Sequence, residues 1–355
     1  MRTPLHDRHL TNAALLTDDR GWEIPASFRD PEGEYRAVRT DCGLADLCHR
    51  SKLVVEGPEA AEFLHGLASQ EIKGLTAGSG CYTTFLTAKG KMLADARIFN
   101  LDGRLVLDLE PGLAPSLLEH LERYVIAAKV ELRDATEELG LITVQGRESA
   151  RVIGDFLGEP VDPLPPLETL ECSFDDLPLT LIGTASTGEL GFDLLAPRRV
   201  MASLWEAIIE AGAGIRPVGA QALEMLRIEA GVPRFGADLD ADTIPLEAGL
   251  EHAISYTKGC YLGQEIIARV KHQGHVNRRL TGLLLEQGRL PERGAALLDG
   301  ETEVGRLTSV AASPYLGRPI ALGYVRHEHA EPGTGLTLAS GGNAIVHPLP
   351  FYRRP

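Results

Sequence analysis

Three stretches of the 355-residue chain gather the residue types that carry chemistry. The densest is Lys258-Gly259-Cys260-Tyr261-Leu262-Gly263-Gln264-Glu265. Gly259 and Gly263 permit a tight turn on either side of the cysteine, and Gln264 to Val270 reads as a short helix. A thiol just ahead of a helix N-terminus and near the Lys258 ammonium has its thiolate favoured by both, so Cys260 is a candidate nucleophile or redox group. The plain alternative is a small cysteine packed into a glycine-rich turn. The second stretch runs from Tyr82 to Asp95, YTTFLTAKGKMLAD. Lys89-Gly90-Lys91 reads as a hairpin turn that carries Asp95 onto the return strand, where it either points into a cavity or is solvated. Tyr82 fits equally a half-buried strand aromatic. The third is TGELGFD, which sets Glu189 and Asp193 among glycines at the entry to a strand. A carboxylate there accepts two parallel N–H bonds from the edge of a flat ligand, or Glu189 is the solvated tip of an ordinary turn.

Other patterns resolve against a metal. Gly236 to Asp242 (GADLDAD) alternates three aspartates but lacks the glycine and the twelfth-position glutamate of a calcium loop. His272 and His275 lie near Lys271 without a third ligand, as in a solvated loop. There is no P-loop, Rossmann fingerprint or HExxH, and no metal site is expected.

The elements that must hold these residues come as a repeat. Val54-Val55-Glu56-Gly57-Pro58-Glu59-Ala60-Ala61 is echoed by Thr143-Val144-Gln145-Gly146-Arg147-Glu148-Ser149-Ala150, each a β-rich run, a glycine turn and a helix start, with Pro58 in first-turn position. Farther on, Leu105 to Leu109 leads through Pro111 into a helix carrying Leu117, Leu118, Leu121 and Val125. Leu190 to Leu195 leads through Pro197 into one carrying Val200, Leu204, Ala207 and Ile208. One copy therefore reads strand–helix–strands–helix–strand, the split βαβ pattern. A helical stretch from Val218 to Ala230 follows. From about Arg278, short apolar runs alternate with Gly and Pro, the texture of a small antiparallel β domain. The expected fold is thus α+β: an N-terminal segment (1–50) packing with the second unit, a first split-βαβ, ferredoxin-like unit (51–136), a second (137–274) and a C-terminal β-barrel (275–355).

Composition bounds the partners. A net charge of −15 disfavours direct contact with nucleic acid. The five cysteines are scattered and unpaired in sequence, unlike a disulfide framework. A polar N-terminus and the lack of any long apolar run lead to the expectation of a cytoplasmic chain with no membrane span.

Taken in order, RTPLHDRH, Gly21 to Pro25, Ala37 to Leu64, YTTFLTAKGKMLAD, TGELGFD, LRIEAG (Leu226 to Gly231), Ile244 to Leu250 and Leu307 to Val325 resemble the glycine-cleavage T-protein superfamily over nearly the whole chain. The resemblance implies a three-domain ring around a central channel for tetrahydrofolate, or a one-carbon-substituted folate, and favours a monomer. KGCYLGQE is similar to the signature of the YgfZ-type branch, folate-binding factors that support iron–sulfur enzymes. YVIAAKV (Tyr124 to Val130), IEAGVP (Ile228 to Pro233) and HPLP (His347 to Pro350) lean the same way. That branch implies an accessory protein rather than a turnover enzyme, with iron–sulfur enzymes or cluster-assembly factors as partners and an indirect effect on tRNA modification. Carried over by position, Cys260 and Asp95 are the catalytic candidates, and Tyr82, Asp193, Glu189, Arg227 and Lys258 the folate-binding ones. Asp193 stands where T-proteins have a pteridine-binding Glu, Ser186 where they have a folate-stacking Tyr, and Gln221 where they have an Arg. The competing expectation is an aminomethyltransferase, which would take a lipoyl carrier protein as partner and use Asp95 at the folate amine.

Overall fold

Alternation along the strands decides which way each side chain faces, and in this chain it sets where the core ends and a cavity begins. The computed structural model describes residues 1–101 and 103–354. Among them, Gly80–Leu86, Met92–Leu101, Arg104–Leu109, Ser51–Glu56 and Glu131–Asp134 form, in that spatial order, a five-stranded antiparallel sheet. A second sheet has the order Thr169–Phe174, Leu177–Thr184, Gly191–Pro197, Leu139–Gln145, Gly43–Asp46, Arg216–Pro217. It is the first sheet over again, except that Gly43–Asp46 from the N-terminal segment is inserted before the last strand. The repeated glycines explain part of the likeness. Gly57 and Gly146 have φ of +113° and +129°. A Cβ on either would stand 2.3 Å from the Lys129 carbonyl oxygen or 2.4 Å from that of Asp41. Each turn needs both a positive φ and a bare α-carbon.

One face of each sheet is covered by its own helices. Ala94, Ala96 and Ile98 point toward Ala60–His65 and Ala114–Glu122, while Phe192, Leu194 and Ala196 point toward Ser149–Leu157 and Met201–Ala211. The opposite faces meet. Val54, Phe99, Leu101 and Val106 of the first sheet pack on Leu141, Ile182 and Leu195 of the second. Burying a side chain such as Phe99, 1 % exposed, contributes roughly 1.5–3 kcal/mol.

The strands Arg278–Leu285, Arg318–Arg326, Thr302–Ser313, Ala296–Asp299, Gly335–Leu338 and Asn343–His347 close a barrel in that order. GADLDAD ties it to the rest. Asp238 is buried and accepts from Arg227 Nη1 at 2.8 Å, Thr308 Oγ1 at 2.5 Å and Ser309 Oγ at 2.7 Å. Asp240 caps its own turn through Thr243, and Asp242 pairs with Lys91.

Two local expectations differ. Pro58 lies ahead of the Glu59 N-cap rather than in the first helical turn, since the helix begins at Ala60. The Ala114–Glu122 helix stops short of Val125. Ile126, 91 % exposed, has no apolar surface to cover, and the Lys129 amide is drawn away to the Glu59 carboxylate at 2.8 Å. No helix among the described residues is long and apolar enough to cross a membrane.

Candidate functional site

Five strands that are apolar where the two sheets touch become polar one or two pleats farther along. Leu101 and Phe99 are followed on the same face by Arg97 and Asp95, Val106 by Asp108 and Glu110, Leu195 by Asp193, Leu141 by Thr143, and Ile182 by Thr184. The sheets diverge there into a cavity of about 630 Å³, lined by these polar residues together with Tyr82, Ser186, Arg227 and Arg234.

Buried charges must be paired, and most of these are. Arg97 donates from Nη1 to Asp193 Oδ2 at 2.5 Å and from Nη2 to Asp108 Oδ2 at 2.7 Å, so one guanidinium joins the two sheets. Arg50 pairs with Asp108 and Glu110, and Arg234 with Glu110 and Asp19. Burial alone would raise the pKa of Asp108, but Arg50, Arg97 and Lys52 pull it well below the usual carboxylate range. Glu110, equally desolvated, is held down at about 2 by Arg50 and Arg234.

Asp95 is the exception. The hairpin closed by Gly90 at φ +70° sets Thr84 opposite Asp95 and Tyr82 opposite Arg97, so the Tyr82 hydroxyl reaches diagonally and donates to Asp95 Oδ2 at 2.8 Å. The other oxygen, Oδ1, is buried without a partner. Burial, and then the nearby Glu110 carboxylate, push the Asp95 pKa up to about 6 against the opposing pull of the Tyr82 bond and Arg50. Tyr82 itself stacks on His252, with centroids 5.4 Å apart, and burial followed by the Asp95 charge keeps its hydroxyl protonated far above its ordinary range. Asp193 resembles Asp95 in one respect: it is 2 % exposed and its Oδ1 also has no partner. The cavity thus holds two carboxylates, each anchored through one oxygen and each with the other oxygen unsatisfied.

The remaining candidates are placed differently. Arg227 lines the cavity, but its guanidinium is spent on Asp238, Glu224, Ser309 and the Val232 carbonyl. Glu189 is fully buried behind the turn, accepting from Tyr352 and lying 3.5 Å from Arg39. Cys260 is exposed, outside the cavity wall and four positions ahead of the Gln264–Gln273 helix. Lys258, invoked to favour its thiolate, turns inward and donates to the carbonyls of His65, Ala68 and Gln70 at 2.5, 2.7 and 2.9 Å, where it terminates the Ala60–His65 helix. Lys258→Met should therefore lower the free energy of unfolding by about 2–3 kcal/mol, read as a shift of the urea midpoint. Arg97, Asp108, Glu110, Arg50 and Arg234 were absent from the candidates named on sequence. Charged residues two apart in strands that are otherwise apolar are the signal that marks them.

Residues 5–258 match the model of the GCVT N-terminal domain, and residues 278–353 that of the glycine cleavage T-protein C-terminal barrel domain. The chain belongs to the glycine-cleavage T-protein family. Among T-family relatives, an aminomethyltransferase of Saccharopolyspora erythraea is 33% identical over 99% of this chain and 98% of its own length. One of Rubrobacter xylanophilus is 32% identical, covering 99% of this chain and 94% of its own length. The solved glycine cleavage system aminomethyltransferase T of Bartonella henselae superposes with a TM-score of 0.92 at 26% identity, over 99% of this chain and 98% of that one. These full-length matches overturn the expectation of an accessory protein for iron–sulfur enzymes, and with it the leaning away from an enzyme. Iron–sulfur partners and tRNA modification have no support among them. The T-protein family uses tetrahydrofolate. Against its pattern, Ser186 stands exposed on the cavity wall, and Gln221 is exposed and outside it.

Proposed function

We propose that this chain is an aminomethyltransferase, moving a one-carbon unit from an aminomethyl group on a lipoyl carrier protein to tetrahydrofolate with release of ammonia. The observation that carries the reading is the pair of unsatisfied oxygens, Asp95 Oδ1 and Asp193 Oδ1, in one cavity. Leaving a buried acceptor unmade costs about 1–3 kcal/mol, and a ligand rich in N–H donors removes that cost. The cavity fits tetrahydrofolate on this ground.

Tetrahydrofolate supplies the nitrogens that take up the one-carbon unit. Asp193, fixed by Arg97, holds the pteridine edge through the oxygen left free. Asp95, oriented by the Tyr82 hydroxyl, accepts a hydrogen bond at the reacting amine and takes up a proton there, its pKa near 6 placing it at the threshold for that exchange. The Arg50–Glu110–Arg234 chain fixes the charged wall, so that no side chain need reorganise during transfer. Cys260 and the KGCYLGQE turn, which keeps its resemblance to the YgfZ-type branch, take no part.

The deciding measurement is tetrahydrofolate-dependent ammonia release from an aminomethylated lipoyl carrier, with the Saccharopolyspora erythraea relative as control. Turnover within about tenfold of the control is expected, and no release would sink the reading. Asp193→Asn should weaken tetrahydrofolate binding by about 10- to 100-fold, as loss of a hydrogen bond to a charged group does, measured by direct titration. Unchanged affinity would remove Asp193 from the site.

A further inference from the structure

A second pocket, of about 670 Å³, opens where the Pro31–Thr40 helix, the turn after Leu139–Gln145, the hairpin joining Thr302–Ser313 to Arg318–Arg326 and the C-terminal residues come together. Its lining holds four arginines, Arg36, Arg39, Arg147 and Arg353, and one carboxylate, Glu32. Arg39 forms the floor. Its charge is answered by Glu229 at 2.7 Å and Glu189 at 3.5 Å, and its guanidinium lies 3.6 Å from the Tyr352 ring centroid. Tyr315 meets Tyr352 edge-on, centroids 5.0 Å apart. Arg36, Arg147 and Arg353 are exposed. Among the described residues, none of the three has a carboxylate within 4.0 Å; Arg147 lies beside the Tyr352 hydroxyl and feels the buried Glu189 charge at longer range, as Arg36 feels that of Asp30.

In a chain with 50 acidic and 35 basic residues, three guanidinia brought to one pocket from three separate segments with no carboxylate in direct contact is not what solvation of an acidic surface produces. The fold holds like charges together, which is unfavourable until an anion shares them. We infer that this junction is a second binding site, for a small oligoanion: neighbouring phosphate or carboxylate groups, matched to the guanidinium forks, on a scaffold that lies against Tyr315 and Tyr352. The site is built independently of the folate cavity, although its floor abuts the same turn, since Arg39 Nη1 donates to the Thr187 carbonyl at 2.7 Å.

The test is calorimetric titration of the full chain with inorganic tripolyphosphate and, separately, with a triglutamate peptide, at about 0.15 M salt, where exposed charges are screened beyond roughly 8 Å. One equivalent should bind with a Kd below about 1 mM. Arg147→Ala and Arg353→Ala should each weaken binding about tenfold, as loss of one charge-assisted contact does. Glu32→Gln, which removes the opposing charge, should tighten it. The unfolding midpoint should stay fixed in all three variants. Preference for tripolyphosphate assigns the site to phosphates, and preference for the peptide to carboxylates. Binding of neither, or binding indifferent to Arg147, Arg353 and Glu32, overturns the inference.

Discussion

Asp95→Asn should lower the rate of tetrahydrofolate-dependent ammonia release by about 10²- to 10⁴-fold, the range that a positioned acid–base group contributes, while making the protein more stable at neutral pH. The two effects share a cause. An unfolded aspartate titrates near 4, whereas burial raises Asp95 in the folded chain to about 6. Folding therefore favours the protonated form. The stability this gives is fully present below about pH 4 and is lost as pH rises through about 6, so that at pH 7 the ionised carboxylate is a net cost of roughly 2–3 kcal/mol. Asparagine cannot ionise, and its carbonyl still accepts the Tyr82 hydrogen bond. The variant should gain about 1–2 kcal/mol in urea unfolding at pH 8 and nothing at pH 4. Wild-type kcat/KM should climb to a plateau above pH 6, and that limb should vanish in the variant. Turnover above a tenth of wild type, or a stability gain independent of pH, would show that Asp95 is neither the proton acceptor nor the strained group.

The same strand shows how much was legible beforehand. YTTFLTAKGKMLAD gave the hairpin, its turn and the position of Asp95 on the return strand, because a glycine turn between two apolar runs fixes register. The duplication was readable as well, since Gly57 and Gly146 answer the same backbone demand and no other residue type meets it cheaply. Which carboxylates matter was harder to read. Asp95 and Asp193 look like solvated strand residues until one knows that the faces bearing Phe99 and Leu195 lie against each other, and that contact joins residues far apart in the chain. Arg97 was overlooked for the same reason: its two partners, Asp108 and Asp193, lie on different sheets. KGCYLGQE is arranged differently from what its spacing suggests. Cysteine, lysine and glycines at close spacing suggested a reactive thiol, but Lys258 is consumed by three backbone carbonyls, and the cysteine is left on the outside of a turn. Glu189 is a similar case, a conspicuous acid in a glycine-rich motif that faces away from the cavity, toward the Tyr352 hydroxyl and Arg39.

Arg97→Met tests whether the bond between sheets is the scaffold of the site. Removing the guanidinium leaves Asp193, 2 % exposed, with neither oxygen satisfied, whereas Asp108 keeps Arg50 at 2.8 Å. Breaking a buried pair by removing one partner costs about 3–5 kcal/mol, because an uncompensated charge stays behind. The single variant should lose that much in urea unfolding and bind tetrahydrofolate poorly. Adding Asp193→Asn removes the stranded charge, and replacing both members of a buried pair is often nearly neutral. The double variant should recover to within about 1–2 kcal/mol of wild type yet remain defective in binding, since the carboxylate proposed to hold the pteridine is gone. That split between recovered stability and lost affinity distinguishes an ion pair that positions the ligand from one that only holds the sheets together. If the double variant is no more stable than Arg97→Met, the two residues are not energetically coupled, and the cavity is held open by the packing of Phe99, Leu101 and Leu195 alone.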